Sequence, residues 1–267
     1  MTRNAAARPS SQVSLSGSHY GRLVAMISAH RCGAGDIAPN SGGVGENGLH
    51  ALEHAVALGV DYVEFDVRRL ADGRLVVSHD APDESAPAGS GAIELLPYDA
   101  VLERLTGRSR AHIDLKGEGY EVEAATTALR HLDAADVLLT TGSVTGARRL
   151  RDWADEHGHA IRIGLSTGTS LSGLSPWTAV VSLRRQLFPW TRYAASGADV
   201  VCAHHVLAAV TLGSMARRHG LDLLVWTVDD ARLLRWWLRP GRAWMVTTNY
   251  PARGLGLRSR SAPAPVA

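Results

Sequence analysis

The sequence predicts an α/β fold, a single (β/α)8 barrel of the TIM type, and three observations carry that expectation. Short apolar runs lie at residues 23–29, 62–67, 111–115, 137–140, 161–165, 199–203, 223–227 and 243–246. Between them, apolar residues fall at helical spacing over 49–58, 120–132, 146–157, 177–188, 206–219 and 231–238. Strands that alternate with helices need parallel pairing and helical crossovers. Eight such units within about 250 residues suit a closed barrel better than an open doubly wound sheet. The third observation is that charged and histidine residues collect where the apolar runs end, the end of a barrel where chemistry is built.

Composition sets bounds around this domain. The chain has 267 residues, 45% hydrophobic and 20% charged, with a net charge of +2. That balance is ordinary for a soluble domain, and with no basic block it argues against a nucleic-acid partner. Cys32 and Cys202 form neither a disulfide framework nor a zinc spacing and read as small buried side chains. Residues 1–20 and 258–267 read as disordered tails around a barrel at 21–257. The first tail lacks the apolar core of a secretory signal, and no run of about 18 apolar residues occurs. A cytoplasmic protein without a transmembrane segment is therefore expected. There is no internal repeat and no glycine-rich phosphate loop of Walker or dinucleotide type.

The most informative stretch is 61–80, a buried strand, a tight turn at Asp72-Gly73, and a second apolar strand stopping on His79-Asp80. Glu64 and Asp66 are two residues apart and leave one face of the strand, while Val63, Phe65 and Val67 leave the other. Two carboxylates on an otherwise apolar strand are costly to bury unless a cation neutralises them. Hard oxygen ligands of this kind suit Mg²⁺ or Ca²⁺. The bland alternative is an edge strand whose carboxylates face water.

The remaining strand ends add His30-Arg31 after the first run, Asp114 and Lys116 at i, i+2 after the third, and His204-His205 after the sixth. Trp226-Thr227 closes the seventh and Thr247-Thr248-Asn249 the eighth. Trp226 is expected in the apolar wall of a pocket, His204 and His205 as supporting or surface residues. Asp80 is expected to make a structural hydrogen bond and to point away from His79. The segment 177–188, with Trp177, Leu183, Leu187 and Phe188 beside Arg184 and Arg185, reads as an outer barrel helix, or as a rim that touches lipid.

Taken together, His30-Arg31, Glu64-x-Asp66, His79-Asp80 and Asp114-x-Lys116 resemble the glycerophosphodiester phosphodiesterase family, in order and in strand position. Trp226-Thr-Val-Asp229 and Thr248-Asn-Tyr-Pro251 resemble its terminal signatures. The resemblance implies metal ligation by Glu64, Asp66 and Asp114, acid–base work by His30 and His79, and phosphate contacts from Arg31 and Lys116. The chain departs from the family pattern in several places. Cys32 stands where a glycine is usual, Asp114 where a glutamate is, and Asn249 where an aspartate is. The family's Pro-Glu-Asn-Thr element is split, with Glu46-Asn47 beyond an insertion, and the loop at 81–91 lacks the expected Arg-Thr-Thr.

The expected activity is metal-dependent hydrolysis of glycerophosphodiesters to glycerol 3-phosphate and an alcohol, with Mg²⁺ or Ca²⁺ as cofactor. Two alternatives stand beside it. One is a lysophospholipase D or phospholipase-type hydrolase using the same site, with lysophospholipid as substrate and peripheral lipid contact. The other is a barrel that binds a phosphorylated ligand without turning it over.

Overall fold

The computed structural model of the chain describes residues 24–37, 45–82, 95–167, 186–187 and 189–259. The expected tail at 1–20, the start of the first strand, the Pro39-Asn40-Ser41 segment and most of the 81–91 loop lie outside these residues. So does the amphipathic segment at 177–188, except for Gln186 and Leu187.

Eight parallel strands close on themselves: β1 (Met26–Ala29), β2 (Tyr62–Arg69), β5 (Arg110–Leu115), β6 (Val137–Thr141), β7 (Arg162–Thr167), β8 (Val200–His204), β9 (Asp222–Trp226) and β10 (Met245–Thr248). The pairing of β1 with both β10 and β2 completes the barrel. Each expected apolar run is a strand, displaced by at most three residues at either end. Two short strands stand outside the barrel, β3 (Leu75–Val77), antiparallel to β2, and β4 (Leu96–Pro97). The Asp72-Gly73 turn thus returns the chain along β2, and Ser78 N–H donates to Asp66 O, which brings His79 to the C-terminal end of the barrel.

The two faces of each strand do different work. In β2, Val63, Phe65 and Val67 belong to the apolar layer between sheet and helices. That layer also holds Ala51, Leu52 and Ala55 of α1 (Leu49–Leu58), and Val101, Leu102 and Leu105 of α2 (Tyr98–Leu105). Burying a side chain such as Phe65 contributes roughly 1.5–3 kcal/mol. The inward residues follow the other parity, and the register aligns them: Glu64 with His112, Asp66 with Asp114, Asp114 with Thr140, Thr140 with Gly164. Deep in the lumen, Tyr62, Leu138, Val200, Cys202, Leu224 and Met245 form a separate apolar cluster. Above it lie the buried polar residues Ser28, His112, Thr140 and Thr247, and above those the carboxylates. The barrel is a filled core with a polar top, as its width requires.

Helices predicted at 49–58, 120–132, 146–157 and 231–238 are present as α1, α3 (Glu121–His131), α4 (Val144–His157) and Ala231–Trp237. The segment predicted at 206–219 is helical but interrupted, with a π-helical turn at Ala208–Leu212. Helices α2, Trp190–Ser196 and Pro251–Ser259 have no counterpart in the sequence reading. The last of them carries Arg258 into an ion pair with Asp61, at the place where the C-terminal tail was expected to begin.

Gly164 shows how tightly the lumen is filled. A methyl group there would sit 2.5 Å from Cys202 Sγ and 2.8 Å from Thr140 Cγ2. Overpacking of this kind costs about 1–3 kcal/mol. G164A should lower the urea midpoint accordingly, and adding C202A should recover part of the loss, because the two sites touch. Equal stability of G164A and the parent would contradict this packing.

Candidate active site

Glu64 and Asp66 of β2 and Asp114 of β5 each offer a carboxylate oxygen within 4.8 Å of the others. Lys116, just past the end of β5, lies between two of them, its Nζ 2.5 Å from Asp114 Oδ2 and 2.8 Å from Asp66 Oδ1. Arg31 Nε is 3.4 Å from Asp66 Oδ2. Two cations therefore face three carboxylates. Burial, then the charges of Asp66 and Asp114, push the Glu64 carboxyl well above its usual range. Burial acts on Asp66 in the same direction, but Lys116, Asn47 and Arg31 outweigh it and hold Asp66 below its usual value. Lys116 is likewise disfavoured by burial, and Asp114 and Asp66 more than offset that, so its ammonium titrates above the ordinary lysine range. Asp66 Oδ1 has Lys116 as an ion-pair partner but no aligned hydrogen-bond donor. Three clustered carboxylates that offer hard oxygen atoms within reach of one another, two of the residues buried, fit a divalent cation.

The chain after β1 is strained into this site. Arg31, Cys32 and Gly33 have φ of 46°, 65° and 72°, the left-handed region. A non-glycine residue there costs about 1–2 kcal/mol. The turn aims the Arg31 N–H at Glu64 Oε2, 2.5 Å away. The glycine that the family pattern places at 32 is found one residue on. At Gly33 a side chain would meet Pro251 Cγ at 2.6 Å, so the left-handed run is anchored there. The Cys32 thiol is buried, which pushes its pKa well up, with Glu64 and Asp66 adding to the effect.

His30 makes a hydrogen bond from Nδ1 to Asn249 Oδ1 at 2.7 Å. The direction follows from the next contact: Asn249 Nδ2 donates to Asp229 Oδ2 at 2.8 Å, and Asn249 N–H donates to Asp229 Oδ1 at 2.9 Å. The Asn249 amide therefore turns its oxygen toward His30, Nδ1 carries the proton, and Nε2 is left with its lone pair. Burial lowers the His30 pKa below 6.5, partly offset by the Asn249 bond, with Arg31 lowering it further.

His79 lies at the rim, with 39% of its side chain exposed. Its Nδ1 is 2.8 Å from Asp80 Oδ1, and Arg68 Nε donates to its carbonyl at 2.9 Å. Asp80 thus orients His79, contrary to the expectation that it would point away. The chain bends here, with Ser78 Oγ donating to Asp80 O, so the alternation of an extended strand no longer applies. Trp226 is half-buried and meets His204 edge-on with ring centroids 5.8 Å apart. His204 accepts from Val206 N–H and stacks obliquely on His205. Neither histidine reaches the carboxylate cluster through a hydrogen bond.

Several participants escaped the sequence reading as site residues. Asn47 brackets Asp66, donating from Nδ2 to Oδ2 at 2.9 Å and accepting from Asp66 N–H at 3.3 Å. Glu46 Oε2 holds Arg31 Nη1 at 2.6 Å. Both lie in the displaced Glu46-Asn47 pair, which was the available signal. Asp229 was visible only as part of a terminal motif. Beneath the carboxylates, His112 has Ser28 Oγ at 3.0 Å from Nδ1 and Thr140 Oγ1 at 3.2 Å from Nε2. Burial pushes its imidazole down to about 3, with the charge of His30 acting the same way. No pattern marked it in advance, since one histidine inside a strand is unremarkable.

Comparison with known proteins adds to this geometry. Residues 30–144 match the Glycerophosphoryl diester phosphodiesterase family. An uncharacterized protein of Bacillus subtilis (strain 168), YqiK, is 32% identical over 92 residues, 34% of this chain and 35% of that protein. The chain thus aligns with about a third of this relative. Among solved structures, a glycerophosphodiester phosphodiesterase from Parabacteroides distasonis superposes with a TM-score of 0.67 at 19% identity, covering 90% of this chain and all of that one (100%). One from Agrobacterium tumefaciens gives 0.63 at 22% identity over 88% and 99% of the two chains. A phosphodiesterase from Oleispira antarctica, in complex with the product sn-glycerol-3-phosphate, gives 0.64 at 20% identity over 88% and 97%. At these identities the likeness establishes the barrel.

The His30 arrangement is testable directly. Its imidazole should titrate below pH 6.5 by NMR, with the neutral ring protonated on Nδ1. Exchanging the two partners, as in N249D/D229N, keeps the hydrogen bonds and sets a carboxylate against the ring. The titration should then move to higher pH. A midpoint unmoved by the exchange would contradict the assignment.

Proposed function

We propose that this chain, a glycerophosphodiester phosphodiesterase family member by its residues 30–144, hydrolyses glycerophosphodiesters to glycerol 3-phosphate and an alcohol. The observation that carries the reading is the cluster itself: three carboxylates, those of Glu64 and Asp66 buried and that of Asp114 half-buried, at the C-terminal end of the barrel, flanked by His30 with Nε2 left as an acceptor and by the Asp80-oriented His79. A phosphodiester carries one negative charge, and more develops on its equatorial oxygens as the reaction proceeds. Glu64, Asp66 and Asp114 would hold the divalent ion, Mg²⁺ or Ca²⁺. Once bound, it supplies positive charge where the phosphoryl oxygens need it.

The protein's own groups move the protons. His30 Nε2 accepts the proton of the neighbouring glycerol hydroxyl as that oxygen bonds to phosphorus. The bond from phosphorus to the departing alcohol breaks, and His79 delivers a proton to the departing oxygen. In the second half the roles reverse. His79 takes a proton from water, which attacks the cyclic phosphate, and His30 returns its proton to the glycerol oxygen. Asn249 and Asp229 keep His30 in the neutral tautomer that can begin this cycle, whereas His79 begins it doubly protonated, with Nδ1–H on Asp80 and the Nε2 proton as the one delivered. Among the described residues Arg31 and Lys116 are the cations closest to the carboxylates, and in this reading they exchange part of their ion pairing for phosphate.

A lysophospholipid is a second candidate substrate, for one reason. Val206 and Val210 are 53% and 64% exposed on the helical segment that follows β8, beside His204 at the site's own end of the barrel. An acyl chain would cover them. Among the described residues no helix is long and apolar enough to cross a membrane, so lipid would be met at a surface.

The test is release of glycerol 3-phosphate from glycerophosphocholine and glycerophosphoethanolamine with Mg²⁺, with Ca²⁺ and with EDTA. Turnover should require the metal and fall by about 100-fold or more in H30A, the usual worth of an acid–base group. The acid limb of kcat/KM should lie below pH 6.5, because His30 must be neutral to accept a proton and its pKa is lowered. Activity that survives EDTA and H30A alike would refute the reading. Faster release of choline from lysophosphatidylcholine than from glycerophosphocholine would favour the lipid substrate.

A further inference from the structure

The most constrained polar group outside the reacting residues is the buried chain beneath Asp114. Ser28, His112 and Thr140 are 0%, 4% and 1% exposed and come from β1, β5 and β6. Thr140 Oγ1 lies 2.6 Å from Asp114 Oδ1, His112 Nε2 lies 3.2 Å from Thr140 Oγ1, and Ser28 Oγ lies 3.0 Å from His112 Nδ1.

One arrangement of hydrogens satisfies all of it. An ionised Asp114 can only accept, so the Thr140 hydroxyl donates to it. Having spent its single hydrogen, Thr140 must accept from His112 Nε2–H. The neutral imidazole then has a lone pair on Nδ1, and Ser28 donates there. Every link points toward Asp114, and a chain of this kind strengthens each of its members. His112 has both nitrogens occupied and no route to substrate, so acid–base work is not its role.

The geometry points to Thr140 and His112 as positioning residues that fix the carboxylate of Asp114 for the cation. Asp114 has a short side chain with two torsions, and pinning Oδ1 to the layer below settles both. Oδ2 is thereby turned toward Lys116, the ammonium that also meets Asp66. Without the pin, Asp114 would fold onto Lys116 alone and the third ligand would be lost. Partners of metal-ligating carboxylates typically account for about 10–100-fold in affinity. This inference rests on the metal reading given under Proposed function, and its test separates the two.

The experiment is calorimetric titration of the full-length, EDTA-stripped protein with Mg²⁺ and Mn²⁺, with folding checked by circular dichroism. T140V removes the hydroxyl at nearly constant volume and should weaken binding by about 10-fold or more. T140S restores the hydroxyl and should bind within about threefold of the parent. S28A, three links from the carboxylate, should weaken binding in the same direction, by less than T140V and by more than T140S, and it keeps the test available if T140V does not fold. Binding by T140V or S28A that equals the parent's would overturn the inference and leave the metal reading standing. Absence of binding in the parent would overturn both.

Discussion

The structure depends on one electrostatic constraint: three carboxylates share a buried volume inside a barrel whose floor is apolar. Like charges this close cannot all stay ionised without cations beside them. Lys116 lies between Asp66 and Asp114, and Arg31 approaches Asp66 from the other side. Much of the local architecture follows from supplying that compensation. The left-handed run at 31–33 turns an amide into Glu64, Asn47 occupies the remaining oxygen of Asp66, and Thr140 takes one oxygen of Asp114. Among the described residues Glu64 has no ion-pair partner, and burial together with the charges of Asp66 and Asp114 pushes its carboxyl up.

The barrel then works as a layered device. The apolar plug around Leu138, Cys202 and Leu224 fixes where the strands sit. The polar layer of Ser28, His112 and Thr140 fixes which way Asp114 points, and the strand ends and loops deliver the two histidines. Each histidine has its Nδ1 tied to an oxygen, the amide Oδ1 of Asn249 for His30 and a carboxylate oxygen of Asp80 for His79. In both rings this leaves Nε2 as the atom that would exchange protons in the proposed reaction. The difference between the partners matters. An amide leaves His30 neutral under burial, as a proton acceptor requires, whereas the Asp80 carboxylate lies in solvent beside the partly exposed His79.

What the sequence made legible were the parts that follow a period. The eight strands were visible because apolar runs of strand length alternate with helical patterns, and the pairing of Glu64 with Asp66 and of Asp114 with Lys116 was visible because strands repeat every two residues. Closure of a barrel places those pairs together without further information. What stayed hidden depends on turns and on register. Asp80 was misread because alternation was extended past the strand into a bend. Glu46 and Asn47 reach the site only through a displaced loop. The His112–Thr140 contact joins residues 28 positions apart, and only the register of β5 against β6 brings them together.

The central claim is that the carboxylate cluster is a cation site and that Lys116 is its neighbour, not its substitute. Anomalous diffraction from crystals soaked in Mn²⁺ tests this most directly. The account predicts one strong peak within bonding distance of Glu64, Asp66 and Asp114, with Lys116 displaced from at least one of its two carboxylates. Crystals saturated with Mn²⁺ that show no peak there, with Lys116 still bridging Asp66 and Asp114, would contradict it.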